Sequence, residues 1–251
     1  MKITASIQVR MGSSRLPGKV LKLIEGKSIL EWQIQRIKKS LLIDEIIVAT
    51  TNHTQDDVLE AEAKRLNVSC WRGSEDDVLS RVHDAFFSTC ADIHVEFYGD
   101  SPFVDFFQVD QMIGYLLKNT SSLDYVSNAI KTTYPPGLEV TVYKASCLLE
   151  AQKSTAIDDP LREHVGPNIK KNKVLRIENI EAPIKFNYPE FYFEIDTQED
   201  FLMLTQLLKV IVAQYGEDFS TENLIETAIK NPEITKINTK VHRRWKEFRE
   251  E

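Results

Sequence analysis

The sequence predicts an open α/β fold: a mixed, mostly parallel sheet with helices on both faces. Three observations carry that expectation. Strand-like and helix-like segments alternate four times within the first hundred residues, which is the rhythm of βα units. The run EIIVAT, Glu45 to Thr50, is an apolar strand of the kind parallel sheets bury on both faces. The first strand also runs straight into a glycine-containing loop, at the position where open α/β sheets bind ligands.

Taken in order, Ile3 to Val9 (ITASIQV) reads as a short buried strand. Ser28 with Glu31 has the spacing of a capping box ahead of the helix LEWQIQRIKKS. After EIIVAT, Thr54 is placed to cap QDDVLEAEAKRL. VSCW follows as a strand, then a helix from Glu75 capped by Ser74, then a strand over Asp92–Phe97. The middle differs. Residues 124–143 hold two strand-like runs bridged by Pro135-Pro136-Gly137, which suggests an inserted β-arm at about 124–190 within a single domain spanning 1–251. A helix near 161–172, a strand near 174–180 and a strand at FYFEI precede a helix capped by Thr197. The last residues, VHRRWKEFREE, mix both signs of charge and read as a solvated helical tail.

The totals narrow the function classes. The 251 residues are 42% hydrophobic and 27% charged, with a net charge of −7. That charge disfavours nucleic acid as a partner, because a nucleic-acid binder carries a basic footprint. No apolar run approaches the ~18 residues of a membrane span. The start, MKITASIQVR, lacks the apolar core of a secretory leader. Three cysteines with no CxxC pair suit a reducing cytoplasm.

The loop IQVRMGSSRLPGKVL is the most informative stretch. It is no Walker-type P-loop: five residues separate Gly12 from Gly18, and Val20 stands where a magnesium-binding hydroxyl belongs. The dinucleotide pattern G-x-G-x-x-G is missing too. The physics of an anion site is nevertheless present. Gly12, Ser13 and Ser14 allow close backbone approach and offer donors. Arg10, Arg15 and Lys19 bring three cations with no acid among them, and such a loop in an acidic protein calls for an anionic partner. A bound triphosphate needs a divalent cation, so acidic residues at strand ends become candidates. Asp100 in FYGDSP and Asp196 in FEIDTQED fit, with a turn former and a helix cap as their alternative readings.

These segments together, Gln8–Lys19 with GDSP and IDTQEDF, resemble the CMP-sugar-acid synthetases, and most nearly the spore-coat-polysaccharide cytidylyltransferase-like group. EIIVATT, RGSEDDVLSR, DYVSN, YPPGLEV and REHV extend the likeness from about Ile3 to Phe201. The resemblance implies a Rossmann-like nucleotidyltransferase (GT-A-like) sheet and a homodimer formed through the arm. It also implies transfer of CMP from CTP to a sugar or sugar acid for surface polysaccharide, with pyrophosphate released. By position, Arg10 and Lys19 would hold the triphosphate, and Asp100 and Asp196 would ligate Mg2+. Gln8, Gly12, Ser13 and Arg15 match the nucleotide loop, and Arg72, Gly73 and Ser74 a second nucleotide segment, Ser74 doubling as a helix cap. Tyr134, Glu139, Arg162 and His164 fall where the acceptor pocket is expected, His164 reading equally well as a packed helix residue. Rival readings are a nucleotide-sugar glycosyltransferase, opposed by the missing D-x-D pair, and a non-catalytic nucleotide-binding subunit, opposed by the retained charges.

Overall fold

The computed structural model describes residues 1–247. β1 (Ile3–Gln8) leads through the loop and a 3-10 turn to a small hairpin, β2 (Leu23–Ile24) with β3 (Lys27–Ser28), and then to α1 (Ile29–Ile37). β4 (Glu45–Thr51), α2 (Asp57–Arg65), β5 (Ser69–Gly73), α3 (Val78–Ser88) and β6 (Ile93–Tyr98) complete the alternating half. There follow α4 (Phe106–Lys118), β7 (Tyr125–Ser127), β8 (Thr141–Lys144), α5 (Ala145–Ser154), α6 (Gly166–Lys170) and β9 (Ile177–Asn179). Three more helices follow: α7 (Gln198–Tyr215), α8 (Thr221–Lys230) and α9 (Pro232–Thr235).

The seven-stranded sheet has the order β5-β4-β1-β6-β8-β7-β9. β1 lies between β4 and β6, parallel to both. The chain therefore moves outward through β4 to β5 and then returns to the other side of β1. That reversal opens a crevice beyond the carboxyl end of β1, where α/β sheets place their ligands. β8 turns antiparallel against β6, and β9 is parallel to β7, so the sheet is mixed, as expected.

Burial explains the layering. Ile3, Ala5 and Ile7 pack under Leu30, Leu59 and Ile113 from α1, α2 and α4. On the other face α3 and α5 bury Leu79, Phe86, Cys147 and Leu148 against Tyr125 and Tyr143. The alternate β1 residues Thr4 and Ser6 are buried but polar, bonded to Thr89 and to His94. A third cluster seats α7 and α8 against Phe103, Phe193 and Ile195, which brings the late part of the chain beside the β1 crevice.

Several local expectations are corrected. Ser28 does cap α1, accepting from Glu31 N at 3.0 Å, but Glu31 spends its carboxylate on Gln35 and Arg65 instead of returning the bond. Thr54 opens a 3-10 turn, and α2 begins three residues later. Asp77, not Ser74, caps α3 through Ser80 N at 2.8 Å; Ser74 Oγ accepts from Asp77 N one turn earlier. The expected helix at 161–172 is a 3-10 turn, Pro160–Glu163, followed by the short α6. FYFEI forms no strand. It is held by Phe193 N donating to Pro136 O and Ile195 N donating to Asp100 O. Thr197 caps α7 in a reciprocal capping box with Asp200. The expected inserted arm sends three short strands, β7, β8 and β9, into the main sheet past β6, β8 pairing with β6 and β7, and β9 with β7. The tail is not a solvated helix. Residues 241–247 return over α7 and end in a 3-10 turn, Arg244–Glu247, with Arg243 buried; residues 248–251 of the expected helix lie outside the described residues.

Candidate active site

The loop after β1 is fixed at its root by a buried carboxylate that the sequence did not single out. Asp56 is fully buried and accepts from Met11 N at 2.8 Å, while its other oxygen takes Thr50 Oγ1 and Thr51 Oγ1. Met11 O in turn receives Ser13 N and Gly18 N, both at 2.9 Å. Gly18 closes the loop at φ 67°, a left-handed conformation that favours glycine. Lys19 then starts the 3-10 turn with its side chain directed into the crevice.

There three distant segments meet. Lys19 Nζ lies 3.0 Å from Asp100 Oδ2 and 3.0 Å from Asp196 Oδ1, and donates to Ile195 O at 2.6 Å. Arg15 Nη2 takes the remaining oxygen of Asp196 at 2.6 Å. Asp100 follows β6 through Gly99, where a Cβ would stand 2.2 Å from Val9 Cγ1, so β6 leaves the sheet against β1 only with glycine there. Asp196 is set by its own N–H, donated to Asp200 Oδ2 at 3.0 Å. Burial alone would lower the Lys19 pKa, but the charges of Asp100 and Asp196 outweigh it and raise it. For Asp196, burial works upward and Lys19 and Arg15 overcome it, holding the carboxyl below its usual range. Glu194 nearby behaves oppositely. Burial, with Glu139 and Asp100 adding negative charge, pushes it up to about 8.

Arg15, Lys19, Asp100 and Asp196 line a cleft of about 410 Å³ together with Gln8, Arg10, Ser13 and His164. Gln8 Nε2 donates to Glu96 at 2.8 Å, and Tyr143 OH holds the other oxygen of that buried carboxyl. The Gln8 amide is thereby oriented, with its oxygen turned from Glu96. Arg10 reaches Glu75 at 3.3 Å.

The remaining expected residues sit elsewhere. Gly12 backs onto Gln55 and Glu75 beside the cleft. Arg72 is spent on Thr51 O, His53 O, Asp57 and Glu60, away from the lining. Gly73 and Ser74 act through a neighbour: a Cβ at Gly73 would meet Arg81 at 3.1 Å, and Ser74 O accepts from Arg81 Nη1. Tyr134 is buried beside Phe186, and Glu139 accepts from Gly137 N at 2.6 Å. Arg162 is a buried clamp on Asp77, Thr155 O and Gln152.

Two cleft cations went unremarked in the sequence. Arg81 lines the cleft from α3, and its Nε is buried with no hydrogen-bond partner among the described residues. Burial, then the charge of Arg10, lowers its pKa to about 10. Its signal was present, since it ends the motif RGSEDDVLSR. Arg244, from the tail, had no local signal at all.

The donor chemistry fits magnesium. Two carboxylates already share one cation, and a magnesium ion commonly takes one or two protein carboxylates and completes its shell with phosphates and water. Among the described residues no three His, Cys, Asp or Glu side chains are grouped to hold a metal by themselves, so substrate would have to supply the rest.

Comparison with known proteins places the chain in a family. Residues 4–231 match the family model described as cytidylyltransferase. The spore coat polysaccharide biosynthesis protein SpsF of Bacillus subtilis is 32% identical over 90% of this chain and 94% of its own. A 3-deoxy-manno-octulosonate cytidylyltransferase of Bdellovibrio bacteriovorus is 32% identical over 45% of this chain and 44% of its own. Among solved structures, a cytidylyltransferase from Leptospira borgpetersenii superposes with a TM-score of 0.87 at 31% identity, covering 97% of this chain and 100% of the other. The chain belongs to the cytidylyltransferase family and is a CTP-dependent nucleotidyltransferase with its Rossmann-like fold.

Proposed function

We propose that the chain transfers CMP from CTP to a hydroxyl of a sugar or sugar acid, releasing pyrophosphate, in the assembly of a surface polysaccharide. One observation carries this reading: Lys19, Asp100 and Asp196 converge within 3.0 Å in a cleft rimmed by arginines at the end of β1. The acceptor oxygen bonds to the α-phosphorus, the bond from that phosphorus to the bridging oxygen breaks, and pyrophosphate departs with the electron pair. The hydroxyl proton passes to water.

Most of the catalytic work is positioning and charge stabilisation. Arg10, Lys19 and Arg81 neutralise the triphosphate and the leaving group. Arg81 is suited to this because its buried Nε still lacks an acceptor. The backbone of Ser13 and Ser14 approaches the phosphates, and Gln8, aligned by Glu96, meets the nucleotide. Asp100 and Asp196 would hold a magnesium ion, which when bound neutralises phosphate charge and acidifies an attacking hydroxyl. His164 and Glu163 on the facing wall contact the acceptor.

The same reading includes a homodimer. Ile157, Val174 and Ile184 are 86–94% exposed, and all three fall in the expected arm at positions outside its strands. Three free cysteines suit a cytoplasmic setting. The test is pyrophosphate release from each of four nucleoside triphosphates, with magnesium, against a panel of acidic and neutral sugars. Release with CTP alone and with one sugar class is expected. Release that ignores the base, or none with CTP on any sugar, overturns the proposal.

A further inference from the structure

A second pocket, of about 360 Å³, adjoins the cleft and shares the side chains of Arg15 and Arg244 with it. The returning tail builds its outer wall. Arg243 turns inward to Asp200 at 2.7 Å, Trp245 Nε1 donates to Glu194 at 2.7 Å, and Arg15 Nη1 donates to His242 O at 3.3 Å. With both neighbours anchored inward, Arg244 is left facing the junction of the two pockets. Lys240 lines the second pocket from the preceding turn. Arg15 is already paired with Asp196, whereas the side chains of Arg244 and Lys240 have no hydrogen bond or ion pair among the described residues. Glu199 is the carboxylate on that wall. The two free cations exceed it by one.

We propose that this tail-built pocket binds an anionic group, a carboxylate or a phosphate, on the acceptor, with Arg244 and Lys240 as its ligands. The inference rests on the cytidylyl-transfer reading and adds the acceptor's charge to it. A nucleotide in the cleft has its own cations in Arg10, Lys19 and Arg81, so the surplus charge at the junction serves the other substrate. A neutral sugar would leave the surplus cation without a counter-charge.

The test is calorimetric titration of the full chain, with and without saturating CTP and magnesium, using inorganic phosphate and glucuronate as separate probes. At least one probe is expected to bind saturably, and the stronger of the two tells phosphate from carboxylate recognition. Arg244→Gln and Lys240→Gln should each weaken that probe about tenfold, since each removes one charge-assisted hydrogen bond, and Lys240→Gln, outside the nucleotide cleft, should leave CTP affinity within about twofold. Both positions are exposed, and thermal unfolding checks that the variants fold. The proposal is overturned if neither probe binds, if both variants bind it as the wild type does, or if they weaken CTP instead. Failure of the wild type to bind CTP would defeat the parent reading, and titration without CTP would still decide this one.

Discussion

Arg243→Met tests whether the tail is part of the folded core. Asp200 is fully buried, and its Oδ2 accepts from Asp196 N, Thr197 N and Thr197 Oγ1 at 2.9–3.1 Å. Its Oδ1 accepts from Asn238 Nδ2 at 2.8 Å and Arg243 Nη2 at 2.7 Å. The Arg243 side chain is 1% exposed and lies over the Tyr192 ring at 4.3 Å. Removing one partner of a buried ion pair costs ~3–5 kcal/mol, because the other charge stays buried. Four neutral donors remain on Asp200, which places the loss near the lower end, about 3 kcal/mol. For a chain of this size each kcal/mol moves Tm by ~2–4 °C, so a drop of about 6–12 °C is expected.

Asp200→Asn should cost a similar amount, since it strands Arg243 and turns an amide N–H toward backbone donors. The double variant should lose less than the sum, with a coupling of roughly 0.5–3 kcal/mol. Thermal and urea unfolding of the four proteins measure this cycle. Turnover at a temperature where Arg243→Met is folded should also fall, because Asp200 fixes Asp196 through its N–H. An Arg243→Met protein within about 1 kcal/mol of wild type, or strictly additive losses, would refute a buried, structural tail.

Other outcomes follow from the same contacts. Lys19→Ala and Asp100→Asn should each lower turnover on the order of 10²–10³, the usual effect of losing one electrostatic group aimed at the reacting charge; wild-type rates in a pyrophosphate-release assay would contradict the assignment. Gly99→Ala should destabilise by ~1–3 kcal/mol through overpacking, and Val9→Ala, which removes the methyl 2.2 Å from the new Cβ, should restore part of it in urea unfolding. His94, buried beside Phe86 and Ser6, has its pKa lowered by burial to about 3. The unfolded chain takes up that proton near pH 6.5 and the folded one does not, so its contribution is complete above 6.5 and declines toward pH 3. At ~1.36 kcal/mol per unit the loss is about 2 kcal/mol at pH 5. His94→Gln should flatten that acid slope, and an unchanged slope in urea titrations at pH 5 and 7 would refute it.

What was legible in the sequence was local. The cap at Thr197 is dictated by a neighbour three residues on, while the loop after β1 and the glycine before Asp100 show as local motifs although Asp56 and Val9, far away in sequence, are what hold them. FYFEI misled because an apolar run reports burial and not a ladder partner; its backbone bonds go to Pro136 and Asp100, far away in sequence. The strand-like runs at 124–143 were legible as β7 and β8, but their place in the main sheet was not, since the pairing of β8 with β6 joins residues about 50 apart. Arg72 looked like a nucleotide contact, yet its neighbours on β4 and α2 absorb it, and Arg81 at the end of that motif reaches the cleft. Charge misled most in VHRRWKEFREE. A basic, acidic mixture predicts solvent exposure unless a buried carboxylate waits elsewhere, and Asp200 lies 43 residues before Arg243.

Asp200 explains why the tail and Asp196 belong to one unit. Its carboxylate closes the capping box of α7, takes the N–H of Asp196 and receives Arg243, so a single buried charge orients three segments. A cap alone could have been served by a neutral serine or asparagine, as Ser220 and Asn223 serve α8. A full negative charge at zero exposure needs a cation, and the cation comes from the tail. That requirement carries Arg244 to the cleft edge, one residue beyond the anchor. The position of the last cation in the site is therefore fixed by how helix α7 begins.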